Sequence, residues 1–215
     1  MGLLPAVQRW NPDLVLLTGD LSEDASPAAY ARLAAALQPL ARPLLALPGN
    51  HDEPAALRSW FPRGPWRHPL AVDTGSWRVA LLDSTVAGRV EGRLRAADID
   101  WLERWLWENP AAPVLLALHH QPVPVGSPWI DQYMLQEPEA LLRLVERQPM
   151  VRAVVWGHVH QDFAARCGAA MLLACPSTAV NSLPSVPSFT EDPAGPACRW
   201  LELHAGGSVR TGLLR

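Results

Sequence analysis

Apolar and polar positions fall along this chain in blocks whose lengths and periods separate strands from helices. Residues 13–18 (DLVLLT) form an apolar run of strand length that stops at Gly19-Asp20, which reads as a buried strand. Ser26-Pro27 opens an Ala- and Leu-rich segment reaching about Leu40, with serine placed as a helix cap and proline at the first helical position. Residues 44–47 are a second short run, ending at Pro48-Gly49-Asn50-His51-Asp52. Residues 71–73 and 77–83 predict a hairpin across Thr74-Gly75-Ser76. Over residues 95–108, Ile99, Leu102 and Leu106 recur on helical spacing, closed by Asn109-Pro110. Residues 114–118 are the next strand, ending at His119-His120. Leu141, Leu142 and Val145 mark a helical face over residues 137–147, and residues 151–156 form a strand ending at Gly157-His158-Val159-His160. The tail, from about Phe163, alternates strand candidates such as 171–174 and 199–203 with a Pro- and Ser-rich loop over 176–196.

Strands alternating with helices, then a strand-rich end, predict a layered α/β architecture with sheets covered by helices. At 215 residues and 49% hydrophobic, with no internal repeat or linker, the chain is expected to form one domain over 1–215. All 18 basic side chains are arginines and the net charge is -3, so there is no basic footprint for nucleic acid, and a P-loop, which needs lysine, is excluded. No apolar run is long enough to span a bilayer, and the first residues lack the charged and apolar regions of a signal peptide. The expectation is a cytoplasmic protein without a membrane partner. Cys167, Cys175 and Cys198 form no CxxC pair, which points to reduced thiols and away from a zinc knuckle or disulfide framework. The ten tryptophans read as packing groups, since no basic residues interleave with them to make a base-stacking platform.

The chemistry collects at strand ends. Four strands stop in short loops that carry metal-type ligands: Gly19-Asp20, Gly49-Asn50-His51-Asp52, His119-His120 and Gly157-His158-Val159-His160. Loops at the carboxyl ends of parallel strands converge on one crevice, so ligands distant in sequence become neighbours. Gly19, Gly49 and Gly157 let the backbone turn sharply and approach a bound ion or phosphate. In an extended backbone, His158 and His160 project to the same side, which suits two nitrogen ligands to one ion or to two adjacent ions. Asp, Asn and His without Cys suit manganese, iron or zinc. A carboxylate can bridge two ions, which together share a hydroxide, lower its pKa and hold a phosphoryl oxygen for in-line attack.

In this order, GD, GNHD, HHQPVPVG and GHVHQ resemble the motifs of the calcineurin-like metallophosphoesterases, from about residue 11 to the C-terminus. More narrowly, LLDSTVAGRVEGRL, HHQPVPVGSPWIDQ, PSTAV and RWLELHAGG are similar to the bacterial class III cyclic nucleotide phosphodiesterases, the cyclic AMP branch in particular. The resemblance implies a four-layer αββα sandwich, two divalent metal ions (Mn, Fe or Zn) at the strand ends, and a small phosphodiester substrate. It implies hydrolysis of a 3′,5′-cyclic nucleotide to the 5′-monophosphate by a metal-bound hydroxide. The alternatives are a broader phosphodiesterase acting on glycerophosphodiesters or small nucleotide esters, and a catalytically weak metal-binding or regulatory protein. Carried over residue by residue, Asp20 bridges the ions, Asn50, His119 and His158 complete the second ion's ligands, and His160 belongs to the first. His51 contacts the substrate phosphate or protonates the leaving 3′ oxygen. One of His119 and His120 fills the ligand position, and His119 is favoured as the nearer to the strand end. Asp52, Asp131 and Asp83 are expected to fix loops.

The family pattern opens with an Asp-x-His motif at the end of a first strand, and nothing before Asp13 supplies it. The expectation is one nearly complete ion site, one reduced to Asp20 and His160, and a gap in a sheet. An upstream start that restores the motif is the favoured explanation, because MGLLPAVQRW reads as the middle of a helix with no cap before it. A truncated gene product and a scaffold that has lost catalysis are the alternatives.

Overall fold

A computed structural model describes residues 2–108 and 111–215, so the helix stop expected at Asn109-Pro110 lies outside the described residues. The first half runs α1 (Leu4–Trp10), β1 (Val15–Leu17), α2 (Pro27–Leu37), β2 (Leu44–Ala46), α3 (Pro54–Trp60), β3 (Leu70–Asp73), β4 (Arg78–Leu81), β5 (Gly92–Arg93) and α4 (Ala96–Glu108). The second half runs β6 (Val114–Ala117), α5 (Pro128–Asp131), β7 (Leu135–Gln136), α6 (Glu139–Arg147), β8 (Val151–Trp156), β9 (Phe163–Cys167), β10 (Ala170–Ala174), β11 (Cys198–Leu203) and β12 (Val209–Leu214).

The main sheet has the order β3-β4-β6-β8-β10-β9, with β4, β6, β8 and β10 mutually parallel and an antiparallel strand at each edge. Its central strands are apolar on both faces, and the two-residue period of a strand sorts their side chains into two cores. Ala80, Leu116, Val154 and Leu172 point to the side covered by α4 and α6. Val79, Leu81, Leu115, Ala117, Val155 and Leu173 point to the other side, where they meet Leu16, Leu45, Leu201, Leu203 and Val209 from β1, β2, β11 and β12 or their margins. The opposite faces of β1 and β2, Val15, Leu17 and Ala46, pack with Tyr30, Leu37 and Leu57 of α2 and α3 and with Val7 of α1. Helices, sheet, sheet and helices are therefore stacked in four layers, the expected αββα sandwich. The inner layer is in two pieces: β1 pairs in parallel with β2, β11 pairs antiparallel with β12, and no hydrogen-bonded register joins the two pairs among the described residues.

Most departures from the sequence reading have local causes. Pro39 cannot donate to the α2 ladder, so the helix ends at Leu37 and residues 38–40 tighten into a 3-10 turn. The buried face of α6 is Leu141, Leu144 and Val145, with Leu144 where Leu142 was expected; the i, i+3, i+4 set lies under β8 and β9. That helix also starts two residues late, because Glu137 takes a left-handed conformation (φ 53°) just after the short strand β7. Helix α3 was not anticipated, although Glu53 caps it and Pro54 opens it. On α4, Trp101 and Trp105 stack at 5.5 Å, and the Arg78 guanidinium sits 3.7 Å from the Trp105 ring centre, as the packing role predicts. None of the described helices is long and apolar enough to cross a membrane. The three cysteines are unpaired with one another.

Candidate metal centre

β1, β2, β6 and β8 all end at the same rim of the sandwich, and the loops that follow place Asp20, Asn50, His119 and His158 against one another. His119 Nε2 lies 3.4 Å from Asp20 Oδ2 and 3.2 Å from Asn50 Oδ1, and the His119 and His158 rings are 5.0 Å apart. Two glycines make this approach possible. Gly19 is left-handed (φ 93°), and a Cβ there would strike His119; a Cβ on Gly49 would strike the Asp20 carboxylate. Asp20 is itself held at φ 52°, a conformation that costs a non-glycine residue of order 1–3 kcal/mol. Asp52 is the counterweight. Its carboxylate accepts hydrogen bonds from the backbone N–H groups of Leu21, Ser22 and Gly49 and from the Tyr30 hydroxyl, locking the two loops together. Asp131 does the same for the backbone of Val125, Gly126 and Ser127.

The adjacent pair after β6 divides its labour. His119 Nδ1 faces the Thr18 carbonyl at 2.7 Å, and a carbonyl only accepts, so that nitrogen carries the proton and Nε2 turns to Asp20 and Asn50. His120 has neither nitrogen free. Its Nε2 donates to the Val90 carbonyl at 3.0 Å, and its Nδ1 accepts from Ser84 Oγ at 2.8 Å. Ser84 also accepts from the backbone N–H groups of both histidines. The ring nitrogens of His119, His120 and His158 come within 4.8 Å of one another, but the hydrogen-bond roles leave His120 the least available.

The pair after β8 differs from the expectation. The extended backbone predicted to aim His158 and His160 together is absent: both residues are left-handed, at φ 61° and φ 50°, so the chain turns sharply at each. The His158 ring reaches the Tyr133 backbone with one nitrogen, and its Nε2 is buried with no partner at all. The His160 ring is hydrogen-bonded to the Val180 backbone at the margin of the cluster. His51 contributes its backbone N–H to Asp20 Oδ1 at 3.0 Å, while its half-exposed ring looks toward Glu23, with 3.6 Å between Nδ1 and Oε1.

Charge follows from these contacts. Burial opposes ionisation of Asp20, but the His119 imidazole outweighs it and holds the carboxyl well below the usual range. Burial likewise disfavours a charge on His119, yet Asp20 raises its affinity for a proton. Burial, reinforced by His119, pushes His158 down to about 3 and His120 down to about 2. The protein alone thus holds one proton between Asp20 and His119 and keeps the neighbouring imidazoles neutral, the form that binds metals. A cation fits here on two counts. Ligands about 2.1 Å from a tetrahedral ion stand about 3.4 Å apart, close to the 3.2 and 3.4 Å separations found here. And the orphaned Nε2 of His158 is the kind of buried polar atom that an ion satisfies.

Residues 2–162 match the family model described as calcineurin-like phosphoesterase. The chain belongs to that family. This phosphoesterase is 41% identical over 203 residues to the 3′,5′-cyclic adenosine monophosphate phosphodiesterase CpdA of Pseudomonas aeruginosa, covering 94% of this chain and 74% of that one. It is 40% identical over 204 residues to CpdA of Vibrio vulnificus, with the same coverage. A dimetal phosphatase from Danio rerio shares the fold, with a TM-score of 0.70 over 93% of this chain and 82% of that one at 16% identity. Two parts of the phosphoesterase's site were not read from sequence. Ser84 gives only the signal of a small polar residue ending an apolar strand, and Tyr30 looks like one more apolar position on α2, though its hydroxyl ties Asp52 to the Glu53 backbone.

Proposed function

We propose that this chain is a metal-dependent phosphodiesterase that opens a 3′,5′-cyclic nucleotide, cyclic AMP, to the 5′-monophosphate. The reading is carried by the meeting of Asp20, Asn50, His119 and His158 in a chain 41% identical over 94% of its length to a protein named for that hydrolysis. In this proposal these four residues hold one ion, and Asp20 with His160 are the chain's donors to a second; manganese, iron or zinc suits the donor set. Ions held by these residues would supply Lewis-acid charge for the phosphoryl oxygens and for the attacking water.

The protein's own part is orientation and proton handling. The Thr18 carbonyl fixes the His119 tautomer so that Nε2 faces inward. The His51 backbone steadies Asp20, and to the half-exposed His51 ring, which stands by Glu23, the proposal assigns the proton that O3′ takes up as the P–O3′ bond breaks. The loops pinned by Asp52 hold Asp20 and Asn50 at one spacing before substrate arrives. A cytoplasmic location and a single domain over 1–215 complete the proposal.

Incubation with cyclic AMP and manganese, with products separated chromatographically, is the test. The expected product is 5′-AMP; no turnover by protein carrying its full metal complement would end the cyclic nucleotide reading. Hydrolysis of an aryl phosphodiester alone would favour the broader phosphodiesterase. One second reading, a protein that binds a single ion tightly and turns over slowly, is favoured by the His160 ring, which is turned to the Val180 backbone at the margin of the cluster. Metal stoichiometry measured beside the rate separates it.

A further inference from the structure

Six large apolar side chains are exposed among the described residues, and two of them stand beside site histidines. Val90 and Val180 are each 42% exposed. Val90 lies on the segment that leaves β4, and its carbonyl accepts the His120 Nε2 proton at 3.0 Å, while Arg93 N–H closes the segment back onto the Ser84 carbonyl. Val180 lies on the segment that leaves β10, with its backbone hydrogen-bonded to the His160 ring and the next turn fixed by Ser182 N–H on the His160 carbonyl. In the sheet order, β4 and β10 flank β6 and β8, the strands that carry the four histidines. The two flanking loops are therefore tied by their backbones to the histidines from the two neighbouring strands, and each carries an exposed valine at that tie.

An apolar side chain costs free energy when left in water, and a phosphate group has no use for one. The geometry points to a nucleoside rim: Val90 and Val180 receive the base and sugar carbons of a nucleotide whose phosphate sits at the histidine cluster. This deepens the phosphodiesterase reading and rests on it for the position of the phosphate. Burying valine methyl groups against a base makes the rim a source of affinity for nucleotides over bare phosphate.

Equilibrium binding of 5′-AMP and of inorganic phosphate to the manganese-loaded protein tests it without turnover. Both valines are surface residues, so Val90→Ser and Val180→Ser leave the core intact. The double variant is expected to bind 5′-AMP about tenfold more weakly, and each single variant about threefold, with phosphate affinity held within about twofold. Trp107→Ser, at an 80% exposed position on the last turn of α4 and so at the opposite end of the sheet, is expected to change neither. The rim is overturned if the double variant binds 5′-AMP as the parent does, weakens 5′-AMP and phosphate equally, or is matched by Trp107→Ser. Nucleotide affinity that depends on the valines, in a protein that leaves cyclic AMP intact, would retain the rim and remove the cyclic nucleotide reaction; the reverse result would do the opposite.

Discussion

The strand ends after β6 and after β8 each carry two histidines, and they put them to different use. After β6 the residues are adjacent with no left-handed turn, so the rings point to different partners: His119 toward Asp20 and Asn50, His120 into a closed set of bonds with Ser84 and Val90. After β8 two left-handed residues separate the rings, leaving His158 Nε2 buried and unpartnered while His160 turns to Val180. An imidazole's availability to an ion is thus set by what holds its other nitrogen and by the backbone beneath it. Residue type alone does not distinguish the four.

The largest effect expected from breaking this contrast is on the inward-facing rings. His158→Ala and Asp20→Ala each remove a buried donor and are expected to lower metal affinity by about two to three orders of magnitude, with turnover falling alongside, as titration with manganese would measure. Next comes the brace behind them. Asp52→Ala strands three backbone N–H groups and the Tyr30 hydroxyl, and should cost about 3 kcal/mol of unfolding free energy in a denaturant titration. Ser84→Ala, which strips the His120 side of its hydrogen-bond hub, should cost about 1–2 kcal/mol in the same experiment.

The smallest effect is on pH dependence. His120 and His158 are buried with pKa values pushed down to about 2 and about 3, against about 6.5 in an unfolded chain. Below about pH 6.5 the unfolded state binds protons that these folded residues refuse, so they favour folding less as the pH drops. His119, whose pKa is raised, runs the other way and loses its contribution as pH rises; Asp20, lowered, matters only below about pH 4. Thermal scans of the metal-free protein should therefore show Tm falling from pH 7 to pH 5, and His120→Gln should flatten that slope.

Much of this was legible in the chain. The runs ending at Thr18, Leu47, Leu118 and Trp156 announce strands by length and apolarity, and the polar residues that stop them mark the rim where Asp20, Asn50, His119 and His158 meet. The division of the strands' alternate residues between two cores was not visible in the same runs, because apolar residues on both faces erase the two-residue signal. Nor was the left-handed backbone at His158 and His160, since no glycine or asparagine stands there to announce it. The choice between His119 and His120 depends on Thr18, Ser84 and Val90, which are 101, 36 and 30 residues from their partners, and no local pattern carries that information.

That choice is the point on which the account stands, and metal stoichiometry of His119→Ala and His120→Gln beside the parent, by mass spectrometry of the native proteins, tests it most directly. His119→Ala is expected to lose the tightly bound ion while His120→Gln retains it in full. An ion lost from the His120 variant and kept by the His119 variant would contradict it.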